Sequence, residues 1–233
     1  MKTIGLIGGM SWESTLSYYR ILNTAINGSL GGLHSAKCLL HSVDFQPVED
    51  CQKEGRWEDS GEILAEAARS LERGGADFGL ICTNTMHKVF DQVQAAVSIP
   101  FLHIADTTVD AVRERNMDRI GLLGTAYTME QDFYKGRFAG AGIDVLIPEP
   151  GERQEINRII FEELCRGVIT DSSKHWYLRA IDGLVAQGCQ GIVMGCTEIG
   201  LLIQQADTPT PLFDTAEIHA LRAARFALAD SRG

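Results

Sequence analysis

Four short segments carry residue types and spacings that could do chemistry: Gly8-Gly9-Met10-Ser11, Cys82-Thr83-Asn84-Thr85, Gly124-Thr125 and Gly195-Cys196-Thr197-Glu198. Each sets small residues, hydroxyls or an amide after an apolar run and before a helix-like stretch. Backbone N–H groups at a helix start attract carboxylate or phosphate, and glycine lets a ligand approach the main chain closely. Gly, Ser, Thr and Asn also favour plain turns and N-caps, so one such segment says little. Four at equivalent places in one frame point to anion binding. A cysteine at a strand-to-helix junction is also in the setting that lowers a thiol pKa below its free value of about 8.5. Cys196 meets that description, although Glu198 would raise its pKa unless the carboxylate points away or pairs with a substrate ammonium. Cys38, Cys51, Cys165 and Cys189 read as small buried hydrophobes.

The elements that position these segments alternate. Residues 3–8, 37–45, 77–82, 99–104, 119–124, 143–147, 191–195 and 211–213 read as strands. Residues 12–27, 57–73, 84–96, 106–115, 129–139, 153–166 and 172–187 read as helices. Such alternation predicts mostly parallel sheets with helices on both faces. A faint duplication runs through it. Ile4-Gly5-Leu6-x-Gly8 matches Ile120-Gly121-Leu122-x-Gly124 at an offset of 116, and residues 75–83 lie against 188–196 at an offset of 113. Asp106-Thr107 matches Asp214-Thr215 at 108. The fold class expected is therefore α/β, with two pseudo-symmetric α/β domains. Ligands sit beyond the carboxyl ends of strands in open α/β sheets, which puts the expected site in a cleft between the two halves. The duplication sets Thr83 opposite Cys196 and Cys82 opposite Gly195.

Other chemistries fit poorly. Gly5-x-x-Gly8-Gly9 is not the dinucleotide fingerprint, and there is no phosphate-binding G-x-x-x-x-G-K-[ST] loop. His34, Cys38 and His41 have loosely metal-like spacing, but on a strand Cys38 and His41 face opposite sides, so no metal site is expected. His87 lies one helical turn past Thr83 and reads as structural or cleft-facing; His103 and His219 read as structural, and Asp106 and Asp214 as N-caps. With 21 Lys plus Arg against 31 Asp plus Glu, a formal charge of −10 argues against nucleic acid, whose binding rests on neutralised phosphates. No apolar run approaches the roughly 18 residues of a membrane span, and the amino end does not read as a secretory signal. Six scattered cysteines then fit a reduced, cytoplasmic thiol pool.

Gly-Gly-Met-Ser-Trp-Glu-Ser-Thr at 8–15, Cys-Thr-Asn-Thr-Met-His at 82–87 and Gly-Cys-Thr-Glu at 195–198 together resemble the aspartate/glutamate racemase family. The resemblance runs from Met1 to about Phe226 and is closest to the bacterial L-aspartate/glutamate-specific, or broad-specificity, amino-acid racemases. It implies a cofactor-independent enzyme, two α/β domains and a homodimer. It also implies a C-terminal segment that returns to the first domain, giving 1–104 plus about 210–233 as one domain and 105–209 as the other. In the family, two cysteines on opposite faces of the substrate Cα exchange its proton. Here Thr83 stands where the first cysteine usually does. By the same resemblance Thr83 and Cys196 are catalytic, and Met10, Gln52, Asn84, Thr85, Thr197 and Glu198 bind a small amino-acid substrate. Arg166 is the first candidate for the distal carboxylate, with Lys53 and Arg56 as alternatives. The expected function is cofactor-independent racemisation of L-aspartate or L-glutamate. The alternatives are a decarboxylase or isomerase of a small dicarboxylate on the same scaffold (arylmalonate decarboxylase keeps one cysteine, in its second half) and a non-catalytic amino-acid sensor.

Overall fold

The computed structural model describes residues 1–229. The described residues form two compact units, Met1–Ile104 with residues 219–229, and Ala105–Ile218. In the first, β1 (Ile4–Gly8), β2 (Cys38–Ser42), β3 (Phe78–Ile81) and β4 (Phe101–Leu102) form a parallel sheet in the order β2-β1-β3-β4. The central strands β1 and β3 are buried at every residue, as parallel strands covered on both faces must be. Helix α1 (Trp12–Leu30) starts where Ser11 caps it and turns Ser14, Thr15, Tyr18, Leu22 and Ile26 inward. That is one residue per turn, the stripe of an amphipathic helix. Helix α2 (Phe45–Lys53) and helix α3 (Trp57–Arg73) follow β2. Helix α4 (Phe90–Ala95) follows a 3-10 turn, Thr85–Val89, and helix α5 (Ile104–Glu114) leads out of the unit.

The second unit repeats the plan. Strands β5 (Arg119–Gly124), β6 (Asp144–Leu146), β7 (Gly191–Gly195) and β8 (Leu212–Asp214) pair in parallel in the order β6-β5-β7-β8. Helices α6 (Ala126–Glu130), α7 (Asp132–Gly140), α8 (Pro150–Glu162), α9 (Asp171–Ala186) and α10 (Ile199–Leu202) surround that sheet, and α11 (Thr215–Leu228) carries the chain back. Thr125 and Thr170 cap α6 and α9, while Glu149 and Glu152 form a capping box at α8 with Pro150 at its start. Each such cap stabilises its helix by about 1 kcal/mol.

The strand ladders align the two halves residue by residue. Leu6 pairs with Leu80 in one sheet and Leu122 with Val193 in the other, so the offsets of 116 and 113 describe real register. The match of Asp106 with Asp214 does not. Gly79 pairs with Phe101 and Ile192 with Leu212, which makes His103 the counterpart of Asp214. Asp106 lies inside α5 and pairs with Arg137 at 3.0 Å, whereas Asp214 accepts from Ala216 N and Glu217 N and caps α11 as expected.

Four other readings change. The return to the first unit comes at His219 rather than near 210, because β8 hydrogen-bonds β7; residues 230–233 lie outside the described residues. The strand read over 37–45 stops at Ser42, since Asp44 caps an unexpected α2. The helix read over 84–96 opens as a 3-10 turn, and α8 ends before a second one, Leu164–Arg166.

Candidate active site

In each sheet the chain leaves one central strand in one direction and returns on its other side. The carboxyl ends of β1 and β3, and of β5 and β7, are therefore topological switch points, where open α/β sheets bind ligands. All four sequence segments lie there.

In the first unit, Gly9 follows β1 at φ +94°, and a Cβ at that position would run into the Val43 carbonyl. Only glycine suits both constraints. Gly9 N donates to Thr15 Oγ1 at 2.9 Å, and Ser14 Oγ donates to the Cys82 carbonyl at 3.0 Å, tying the start of α1 to both strand ends. Met10 is buried in the apolar cluster that holds Val48, Ile81 and Met86. Buried Gln52, on α2, donates to Met86 Sδ at 3.0 Å. Met10 and Gln52 thus belong with the Thr83-Asn84-Thr85 segment, where Asn84 and Thr85 are buried and Thr83 is half-buried. Cys82 is buried, its thiol pKa raised by burial, and it stands one position before the counterpart of Cys196, as a core residue.

His87 closes this segment. Its Nδ1 lies 2.8 Å from the Thr83 carbonyl, and Ile104 N donates to its Nε2 at 3.2 Å. A carbonyl only accepts and an amide only donates, so His87 is neutral with the proton on Nδ1. Its ring stacks on Phe90 and touches His103, with centroids 4.5 Å apart in the second contact. His219 is fixed likewise: Nε2–H donates to the Leu102 carbonyl at 3.0 Å and Nδ1 accepts from the Tyr18 hydroxyl at 2.9 Å. Burial pulls both pKa values down, His219 to about 4 and His87 well below 6.5, with His103 and His219 adding to the effect on His87. A histidine of depressed folded pKa gains its proton more readily in the unfolded chain. Stability is thus whole above about pH 6.5 and is lost as pH falls toward 4, by on the order of 3 kcal/mol for His219. Between pH 8 and pH 5 the Tm is expected to drop several degrees more in the wild type than in His219→Gln. Equal drops in a thermal melt would contradict this.

In the second unit, Cys196, Thr197 and Glu198 follow β7 and are all buried. Cys196 Sγ donates to Glu198 Oε2 at 3.0 Å, and Thr197 Oγ1 donates to the same oxygen at 2.8 Å. The expected low thiol pKa is corrected here. Burial, then the Glu198 charge, push Cys196 well above the ordinary thiol value. The helix that might have lowered it, α10, begins only at Ile199 and is four residues long. The register makes Thr83 and Cys196 counterparts in their own units, each just past the end of its central strand.

Two neighbours of Cys196 escaped sequence reasoning. Cys165 Sγ lies 3.9 Å from Glu198 Oε1. Tyr177, on α9, is fully buried, and its hydroxyl has no hydrogen-bond partner among the described residues; burial raises its pKa well above the ordinary phenol value. Neither has a local signal, since both approach Cys196 only through tertiary packing. Arg166 is exposed on the turn Leu164–Arg166, next to Cys165 and against α10. The alternatives are engaged elsewhere: Lys53 pairs with Glu49, and Arg56 with Glu54 and Asp59. Among the described residues no group of three or more His, Cys, Asp or Glu is placed to hold a metal ion, and no helix is long and apolar enough to cross a membrane.

Two four-stranded parallel sheets of one topology, with a hydroxyl and a thiol at matching strand ends, define a duplicated α/β protein. The chain belongs to the Asp/Glu/hydantoin racemase family, whose model matches residues 7–223. It is 52% identical to a candidate Asp/Glu racemase from Yersinia pestis, over 98% of this chain and 100% of that one, with a TM-score of 0.90. An aspartate racemase homologue from Pyrococcus horikoshii is 37% identical over 97% of this chain and 99% of its own, with a TM-score of 0.83. The broad-specificity amino-acid racemase of Bacillus subtilis is 23% identical over 153 residues, 66% of each chain. Membership supports an amino-acid racemase with a small-molecule amino-acid substrate.

Proposed function

We propose that this protein is a cofactor-independent racemase of L-aspartate or L-glutamate, in which Thr83 and Cys196 exchange the Cα proton on opposite sides of the substrate. The observation that carries the reading is that the strand register, extended past β3 and β7, makes Thr83 and Cys196 counterparts, with Cys196 hydrogen-bonded to Glu198. In the L-to-D direction Glu198 takes the thiol proton, and the thiolate removes the Cα proton. The Thr83 hydroxyl then protonates the other face. Exchange with solvent returns a proton to Thr83 and removes one from Glu198. Asn84, Thr85 and nearby main-chain N–H groups, that of Thr197 among them, hold the α-carboxylate, so that charge developing at Cα meets oriented donors, while the Thr197 hydroxyl stays on Glu198. Met10 and Gln52 complete the wall, and Arg166 receives the distal carboxylate by a charge-assisted bond.

A cytoplasmic homodimer fits this reading. Free thiols at all six cysteines support the compartment. Exposed Trp12, Leu16 and Tyr19, spaced along one face of α1, support burial against a second copy. The lone cysteine of the matched pair favours, as a second reading, decarboxylation of a small malonate. Exhaustively dialysed protein should racemise L-aspartate or L-glutamate with no added pyridoxal phosphate, followed by loss of the circular dichroism signal. Activity that returns only with pyridoxal phosphate would refute the cofactor-independent mechanism. Release of carbon dioxide from a malonate without racemisation would select the second reading, and binding of amino acid with no turnover would select a sensor.

A further inference from the structure

We infer that His87 is a positioning residue for Thr83, acting through the Thr83 main-chain carbonyl rather than as an acid or base; the inference rests on the racemase reading above. Both ring nitrogens are committed, Nδ1–H to the Thr83 carbonyl at 2.8 Å and Nε2 to the Ile104 N–H at 3.2 Å. The ring is buried, in contact with Phe90 and His103, which also touch each other, and with His219. Its bond to Thr83 closes the first turn after β3, where the backbone is held otherwise by the His87 N–H on the Asn84 carbonyl at 3.0 Å. One imidazole therefore ties the residue that carries the reacting hydroxyl to Ile104, the last residue before the chain leaves the first unit.

The second unit indicates that the fold itself does not require this ring. By the β3–β7 register the counterpart of His87 is Gly200, and the counterpart of His103 is Asp214. A Cβ on Gly200 would run into Asp214 Oδ2, so the carboxylate fills the place of the imidazole. There the residue past the strand is Cys196, whose side chain is held directly by Glu198 at 3.0 Å. Thr83 has no such carboxylate two residues on, where Thr85 stands. The hydroxyl is instead set through its backbone, and His87 sets it.

Two substitutions separate the bonds of the ring. His87→Asn places an amide N–H near the position of Nδ1 and gives up the acceptor for Ile104. His87→Gln places a carbonyl near the position of Nε2 and gives up the donor to Thr83. Each removes one buried hydrogen bond, so both are expected to lower the Tm to a similar extent. Racemase kcat is expected to fall at least about 30-fold in His87→Gln and less than about fivefold in His87→Asn, with KM for L-aspartate within about threefold of wild type in both. A merely structural role would move stability alone and leave the two kcat values alike. Equal kcat losses in the two variants, or none in either, would overturn the assignment while the racemase reading stands. A wild type that exchanges no Cα proton would overturn both.

Discussion

Cys196→Ala is expected to lower racemisation of L-aspartate by at least about 10³-fold, because it removes the nucleophilic thiol that the proposed step uses as its base. Cys82→Ala should stay within about threefold of wild type and lose about 1 kcal/mol of stability. The two thiols lie at non-equivalent ladder positions. Cys82 aligns with Gly195 and is buried at the end of β3, while Cys196 aligns with Thr83. Initial rates for both variants, with urea melts to confirm folding, check this. Comparable inactivation of both would mean that Cys82, not Thr83, completes the pair.

The second large effect concerns direction. Turnover of L-aspartate is expected to exceed that of D-aspartate by at least about tenfold in kcat, because a threonine hydroxyl gives a proton to a carbanion far more readily than it abstracts one. Racemisation has an equilibrium constant of one, so kcat/KM must be equal in the two directions and KM for the L isomer must be larger in proportion. Thr83→Cys should narrow the difference by supplying a second thiol. Equal kcat for L and D in the wild type would point to another base. His87 is an unsuitable one, since both its nitrogens are occupied, which leaves Cys82, one residue before Thr83.

Much of this arrangement was legible in the residues. Buried parallel strands are written as short apolar runs, so Ile4–Gly8, Arg119–Gly124 and Gly191–Gly195 could be read directly. The Ile-Gly-Leu-x-Gly repeat relates β1 to β5, and the alignment of residues 75–83 with 188–196 is what matches Thr83 with Cys196 in the sequence. The failures have physical causes. Helix α2 buries only Val48, Cys51 and Gln52, and charged neighbours and Pro47 mask so narrow a face. Strand β4 is two residues long, and the chain enters α5 almost at once; the apparent Asp106–Asp214 match therefore hid the true one, His103 with Asp214. The direction of the Cys196 pKa hung on where the Glu198 carboxylate points; that it faces the thiol at 3.0 Å, and that both are buried, depends on tertiary structure. Tyr177 and Cys165 near that thiol carry no sequence signal for the same reason.

This chain is expected to move a proton on and off the substrate Cα with its own residues. Incubating dialysed protein with L-aspartate in deuterium oxide, and following the Cα proton by nuclear magnetic resonance, tests it most directly. The D-aspartate formed should carry deuterium at Cα from the first turnover, with no cofactor present, and Cys196→Ala should form none. L-aspartate that keeps its Cα proton indefinitely, or exchanges it only once pyridoxal phosphate is added, would contradict the account.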